Sequence, residues 1–350
     1  MPYTTINKST DHFNTKLYSG TGSAQSITGV GFQPDLTWIK SRGATSATRV
    51  LDAVRGATKV IFTSEPDVES TNAQSLTSFD SDGFSVGTHN SVNQNGYAIC
   101  SWNWKANGAG SSNSDGSITS TVSANQTAGI SIVKWVGTGA NGTIGHGLNA
   151  VPKLVIVKCL DAGVNWFIYH QATGNTKEHY LNGSTAAYSG TTAWNSTTPT
   201  SSVVHLGAHN AGANKSGDDQ IAYCFAEKPG FSRFGSFYGN ANIDGAFVHT
   251  GFKPALVIMK NQNDSDHWSI VDNKRIGFNE RNYWLYPNLT NSEYGDNESS
   301  HTAYHIDLLS NGFKIRSTDN MVNGSGDQII YIAFAEAPLV GSNDIPSTAR

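Results

Sequence analysis

One strand-like segment occurs three times in this chain, and that repetition constrains the fold more than any other feature. It reads Gly31-Phe32-Gln33-Pro34-Asp35-Leu36-Thr37-Trp38-Ile39-Lys40, then Ala150-Val151-Pro152-Lys153-Leu154-Val155-Ile156-Val157-Lys158, then Gly251-Phe252-Lys253-Pro254-Ala255-Leu256-Val257-Ile258-Met259-Lys260. Each copy has a proline, one polar or small residue, an apolar run and a closing lysine. Proline is tolerated at the mouth of a strand, where its missing N–H need not join the ladder. The composition of the runs favours strand over helix.

A second block precedes each copy: Lys16-Leu17-Tyr18-Ser19-Gly20-Thr21-Gly22, Lys134-Trp135-Val136-Gly137-Thr138-Gly139 and Ser236-Phe237-Tyr238-Gly239-Asn240. The separation is 18 from Lys16 to Pro34, from Lys134 to Pro152 and from Ser236 to Pro254. A third block closes each unit: Tyr97–Trp102, Ile221–Glu227 and Ile329–Glu336. Ahead of it stand Asp82-Gly83 in the first unit and Asn311-Gly312 in the third, strong short-range hairpin signals. The second unit has Thr198-Pro199-Thr200 there, so its turn is expected to differ. A fourth block matches Trp166 to Trp268 but finds no tryptophan in the first unit.

These blocks predict an all-β fold: three tandem jelly-roll-like or lectin-like β-sandwich repeats over 1–108, 109–229 and 230–350, the last with a short tail. Seven to nine short strands are expected in each. Helix is expected at most as short pieces near Asp52–Thr58 and Asn72–Ser78. Trp38, Trp102, Phe225, Phe334, Trp166 and Trp268 are read as core. The polar arm Met1–Thr15 lacks a core of its own and is expected to need neighbouring subunits to order it.

Several segments resemble a family of tailed-bacteriophage virion proteins frequent in marine phages and cyanophages. The matching residues include Tyr3-Thr4-Thr5-Ile6, Tyr18-Ser19-Gly20-Thr21-Gly22, Val54-Arg55-Gly56-Ala57-Thr58-Lys59 and Leu76–Phe84. Gly145-His146-Gly147-Leu148, His249–Pro254 and Ala335-Glu336-Ala337-Pro338-Leu339 extend the match over nearly the whole chain. The resemblance implies a tail-fibre-like or surface structural protein, with no catalytic or ligand-binding residues to carry over. It places the protein on the virion surface after assembly in the host cytoplasm. Other virion proteins are the partners it implies; a homo-oligomer, by preference a trimer, is expected because closed symmetric oligomers are the default for such subunits, and host surface polysaccharide is a further expected contact. No heptad or β-helix stalk is present, so a globular head, knob or decoration subunit is expected.

Charge narrows the function classes. Only 14% of residues are charged and the net charge is −4, against roughly 25% charged in ordinary soluble domains. No basic run could neutralise a phosphate backbone, so no nucleic-acid partner is expected. No run approaches the roughly 18 apolar residues of a membrane span, so no membrane insertion is expected. The first residues carry no signal-peptide pattern, and the chain is expected to stay where it is made. Cys100, Cys159 and Cys224 sit in apolar runs and read as buried free thiols.

Candidate chemistry is sparse, and the reading is non-enzymatic, with no cofactor and no metal. Asp80, Asp82 and Asp218-Asp219 read as turn carboxylates. His205/His209 and His301/His305 have strand spacing for a shared face but lack a third ligand. Tyr188, Trp194, Tyr283, Trp284, Tyr286 and Tyr294 lie in the unshared middle of units two and three. They are the binding candidates, for a glycan or a subunit contact, since ligand sites mix apolar surface with a few polar groups. The rival readings are a capsid decoration protein and a polysaccharide depolymerase.

Overall fold

The computed structural model describes residues 4–209, 212–275, 279, 283–294 and 306–338. The first set of strands is β1 (Phe13–Ser19), β2 (Gln25–Thr28), β3 (Leu36–Ser41), β4 (Arg49–Asp52), β5 (Lys59–Phe62), β6 (Ser70–Thr71), β7 (Leu76–Asp80), β8 (Gly83–Val86) and β9 (Ala98–Trp104), with the one-turn helix α1 (Asn90–Asn93) before β9. They form a large sheet ordered β1-β9-β3-β4-β5-β6 and a small one ordered β2-β8-β7.

The second set is β10 (Ser111–Asn113), β11 (Ser120–Asn125), β12 (Ile130–Val136), β13 (Gly142–Gly145), β14 (Pro152–Cys159), β15 (Phe167–His170), β16 (Lys177–Tyr180), β17 (Tyr188–Ser189), β18 (Val203–Leu206) and β19 (Asp219–Ala226). Its large sheet runs β10-β11-β12-β19-β14-β15-β16-β17, and β13 pairs with β18. The third set is β20 (Ser232–Tyr238), β21 (Phe247–His249), β22 (Phe252–Asn261), β23 (Ser269–Asp272), β24 (Ile306–Leu309), β25 (Gly312–Ile315), the one-turn helix α2 (Asn320–Asn323) and β26 (Gln328–Pro338). Its sheets run β20-β26-β22-β23 and β21-β25-β24.

The fold is therefore all-β, built of antiparallel sheets. The three large sheets share one strand order through β1-β9-β3-β4, β12-β19-β14-β15 and β20-β26-β22-β23. The hairpins expected at Asp82-Gly83 and Asn311-Gly312 join β7 to β8 and β24 to β25. Among the described residues the second set has no counterpart of β7. Its chain turns at Asn195 and Ser196, both in the left-handed region. Asp52–Thr58 and Asn72–Ser78 are turns and strand rather than helix.

The ladders correct the 18-residue spacing. Lys40, Lys158 and Lys260 pair with Cys100, Ile221 and Ile330. Those three residues pair in turn with Leu17, Lys134 and Ser236. The first set is one residue shorter here, so Lys16 is not the equivalent of Lys134.

Burial explains why the repeated runs are apolar without alternation. β3 and most of β14 and β22 are buried on both faces. One face packs under the small sheet of its own unit, giving three separate clusters. The other face meets the other two large sheets in a single common core. Strands covered on both sides read as continuous apolar runs. Trp38, Trp102, Trp166, Trp268, Phe225 and Phe334 all lie in that common core. At its centre the rings of Trp104, Phe225 and Phe334 form a triangle with centroids 5.7–6.5 Å apart. Their ladder partners are the equivalent Leu36, Leu154 and Leu256, so the units stand in an approximate three-fold relation.

The units close into a ring through backbone. Glu69 N donates to Leu160 O (2.7 Å), Ala187 N to Gln262 O (3.0 Å) and Glu293 N to Arg42 O (2.8 Å). The polar arm is held within the chain, contrary to expectation: Ile6 and Phe13 are buried in the common core. Phe13 stacks on Phe334 at 5.2 Å.

Candidate functional site

Three of the six aromatic candidates, Tyr188, Tyr286 and Tyr294, belong to two repeat-equivalent tyrosine pairs, and Trp194, Tyr283 and Trp284 stand outside them. On the edge of the second sheet, Tyr188 opposes Glu178 across β16–β17. In the third unit, Tyr294 opposes Trp284. Tyr188 meets Tyr180 with ring centroids 5.3 Å apart, and Tyr294 meets Tyr286 at the same distance. Tyr283 is half-buried beside the second pair. Trp284 and Tyr286 are buried in the small-sheet core of the third unit, with Tyr294 packed against it. Trp194 is 1% exposed and packs edge-on to Tyr169. It is therefore a core residue rather than a displayed one. Its fate was hidden in sequence because the loop carrying it folds back under β18.

The Tyr188 hydroxyl donates to Glu178 Oε2 at 2.5 Å and lies 2.5 Å from the Tyr180 hydroxyl. Glu178 Oε1 accepts from Ala193 N at 3.1 Å. Gly190 faces this carboxylate so closely that an added Cβ would lie 2.3 Å from Glu178 Cδ. Burial, then the hydrogen bond to Glu178, raises the pKa of Tyr188 far above the ordinary phenol value. The phenol therefore stays protonated and acts as a fixed donor.

Asp80, Asp82 and Asp218 serve turns, whereas Asp219, read from sequence as a turn carboxylate, lies on β19 beside Lys134, and His205 lies on β18. Asp82 accepts from Gly29 N (2.9 Å) and Gly31 N (2.7 Å), which lower its pKa. Asp80 accepts from Ser78 and Ser85. Asp218 pairs with Lys215 at 2.6 Å. His209 stands edge-on to Phe167 at 4.6 Å and accepts from Ala213 N. His301 and His305 lie outside the described residues. Among the described residues no three His, Cys, Asp or Glu side chains could hold a metal ion. All three cysteines are free and buried.

Sequence reasoning missed where the chain concentrates its buried polar groups. At the joint between units one and two, Asp52 accepts from Arg55 Nε (2.6 Å) and from the Tyr223 hydroxyl (2.7 Å). Arg55 also reaches Glu69 at 3.1 Å. At the joint between units three and one, Asp272 accepts from Arg275 Nε (2.6 Å) and Trp102 Nε1 (3.1 Å). There Glu293 bridges Arg275 and Arg42, at 3.0 and 2.7 Å. Burial is the largest single influence and opposes the charge on both arginines, but their partners together, Asp52 with Tyr223 and Glu69, and Asp272 with Glu293, outweigh it and hold their pKa values above the ordinary one. The ladder partners of Leu36, Leu154 and Leu256 are Asp52, His170 and Asp272. His170 therefore takes the carboxylate's place at the third joint, donating to Tyr331 O at 3.2 Å.

The closing lysines are buried as well. Lys40 donates to Ser46 O and to Leu289 O of unit three. Lys158 donates to Cys159 O, Ala162 O and Pro66 O of unit one. Lys260 donates to Asn261 O and Asp264 O. Burial lowers Lys40 to about 7 and Lys158 and Lys260 to about 8. A buried asparagine recurs too. Asn93, Asn214 and Asn323 each accept from the backbone N–H following Gly20, Gly137 and Gly239.

Fold and buried groups together define a protein of three like β-units locked around one core, with its strongest polar contacts spent at the joints. The chain belongs to a domain family of unknown function, DUF7483, which it matches over residues 8–338. No curated protein and no solved structure matches it.

Proposed function

We propose that this chain is a non-enzymatic structural protein of the tailed-phage virion surface, associated with the tail and adsorption, whose loops face the host surface or its glycans. The observation that carries the reading is the use of buried ionic groups. Asp52, Arg55, Asp272, Arg275 and Glu293 are spent on joints between units, where they fix three sheets into one body. A rigid body with variable loops suits display, since binding residues commonly sit on loops held by a rigid scaffold. The resemblance of Val54–Lys59 and Leu76–Phe84 to tailed-phage virion proteins supplies the setting. The Arg55 of that match is one of the joint residues.

Antibody raised to the protein and applied to purified particles tests this. Label on the tail is the expected result. Label on the capsid alone would convert the reading to a decoration protein, and unlabelled particles would remove it. Release of sugar from host polysaccharide by the purified chain would replace it with a depolymerase. Homo-oligomerisation of whole chains remains part of the proposal, and a single-chain mass by light scattering would remove that part.

A further inference from the structure

The second unit departs from the other two at one place where the departure builds a cavity. Among the described residues, only there does the chain add strands, β10 and β11, outside the strand equivalent to β1 and β20. Ser112 on β10 pairs with Thr121 on β11, Thr121 pairs with Lys134 on β12, and the neighbouring Val136 pairs with Asp219 on β19. These residues share one sheet face, and Thr119, just before β11, lies beside them. They line an open cleft of about 220 Å³.

The lining is chemically distinct from its repeat equivalents. Where unit two has Lys134, Val136 and Asp219, unit one has Leu17, Ser19 and Ala98, and unit three has Ser236, Tyr238 and Gln328. Lys134 Nζ lies 2.8 Å from Asp219 Oδ2, with the side chains 34% and 38% exposed. So open an ion pair adds little to stability. Neither equivalent site has one. Val136 is 53% exposed, although its neighbour Trp135 is buried.

We propose that this cleft binds a neutral saccharide ring. The paired charges cancel, so a ligand of either sign would meet one repulsive partner. A polyol meets none. The Asp219 carboxylate accepts from ring hydroxyls, the Lys134 ammonium donates to ring oxygens, and the hydroxyls of Ser112, Thr119 and Thr121 do both. The Val136 methyls give the C–H face of the ring an apolar floor. The volume falls below the roughly 300 Å³ at which drug-sized pockets begin and suits one ring. The inference deepens the surface-display reading and rests on it only for the source of the sugar.

Saturation-transfer NMR on the full chain tests it, with glucose, galactose and N-acetylglucosamine as free rings and dextran as a neutral polymer, each at about 10 mM sugar. Transfer from at least one free ring is expected. Transfer from dextran as well would assign a polysaccharide source, and from free rings alone a soluble sugar. Asp219→Asn should weaken binding about ten-fold or more, and Thr121→Val should weaken it less, with the thermal midpoint of both unchanged. Silence across the panel, or undiminished binding by Asp219→Asn, overturns the proposal. Either failure leaves the particle-labelling result untouched, so the cleft and the virion reading fail separately.

Discussion

Two kinds of joint hold the ring of units together. The joints of unit one with units two and three each bury an Asp–Arg–Glu cluster that a partner unit completes, through Tyr223 in one case and Trp102 in the other. The joint of unit two with unit three places His170 where those have aspartate, and Thr173 and Ala187 stand where they have arginine and glutamate. His179 lies behind it, with Nε2 3.1 Å from Thr173 Oγ1. One position in one fold thus accepts either a compensated charge network or a pair of neutral rings. A particular charge is not required at this position: His170 is satisfied by Tyr331 O and Ala172 N without one, although His179 Nδ1 behind it has no protein partner. The two solutions differ in how they fail. A buried ion cluster fails when one member is removed, because the survivors stay charged and dry. Neutral buried histidines fail when protons become abundant.

The largest effect should follow from breaking a cluster. Arg275→Met leaves Asp272 and Glu293 buried with their main counter-charge gone, and should cost about 3–5 kcal/mol in urea unfolding. Arg55→Met should cost somewhat less, since Glu69 is 18% exposed and can find water. Thr173→Val, at the equivalent place in the histidine joint, removes only neutral hydrogen bonds, to His170 O and His179 Nε2, and should cost about 1–3 kcal/mol, less than Arg275→Met. Equal costs at the three positions would show that the joints do not differ.

Acid should separate the joints next. Burial lowers His170 to about 4, and burial, with His170, Lys260 and Lys177 nearby, lowers His179 to about 3. Both values lie below the ordinary 6.5, so between these limits the unfolded chain binds more protons than the folded one. Stability is complete above pH 6.5 and declines as pH falls toward 4, at roughly 1.4 kcal/mol per unit for each histidine. Unfolding free energies measured from pH 7 to 4.5 should show this slope. His179→Gln should reduce it, and an unchanged slope would relocate the acid sensitivity to other groups.

The lysines give a smaller test of the same contrast. Lys158→Met strands the carbonyls of Pro66, Cys159 and Ala162 and should cost about 1–3 kcal/mol. Lys260→Met should cost less, because Lys260 donates only to Asn261 and Asp264 of its own unit among the described residues. Comparable losses would mean that the reach of Lys158 across the joint adds nothing.

How much of this was legible in the sequence depends on the range of the interaction. The strands, both Gly hairpins and the burial of Trp38, Trp102, Trp166 and Trp268 follow from local pattern. So does the repetition, although the ladder showed that the spacing match at Lys16 was off by one residue. The common core did not follow, because a run buried on two faces looks alike whether its second face meets its own unit or two others. Two signals were present and passed over. Asp52 to Arg55 and Asp272 to Arg275 share one spacing in two units. Asn93 to Gly96, Asn214 to Gly217 and Asn323 to Gly326 share another in all three, with each glycine at φ of 77–80°. Their roles lie in contacts between distant segments, so neither spacing names its partner. Three of the aromatic candidates, Trp194, Trp284 and Tyr286, are buried for the opposite reason. Trp194 sits in polar sequence that reads as an exposed loop, yet the fold buries it.

The smallest effect tests whether burial, rather than charge pairing as such, sets the cost at the joints. Lys253 and Glu336 form an ion pair of 2.7 Å, close to the 2.6 Å of Arg275 and Asp272, but their side chains are 48% and 30% exposed. In water the Coulomb gain is screened and ordering two long side chains offsets much of it. Lys253→Ala should therefore change unfolding free energy by less than about 1 kcal/mol, measured in the same urea titration as Arg275→Met. A loss approaching that of Arg275→Met would mean that pairing alone carries the energy. The neutral joint between units two and three would then be the weak side of the ring rather than an equivalent solution.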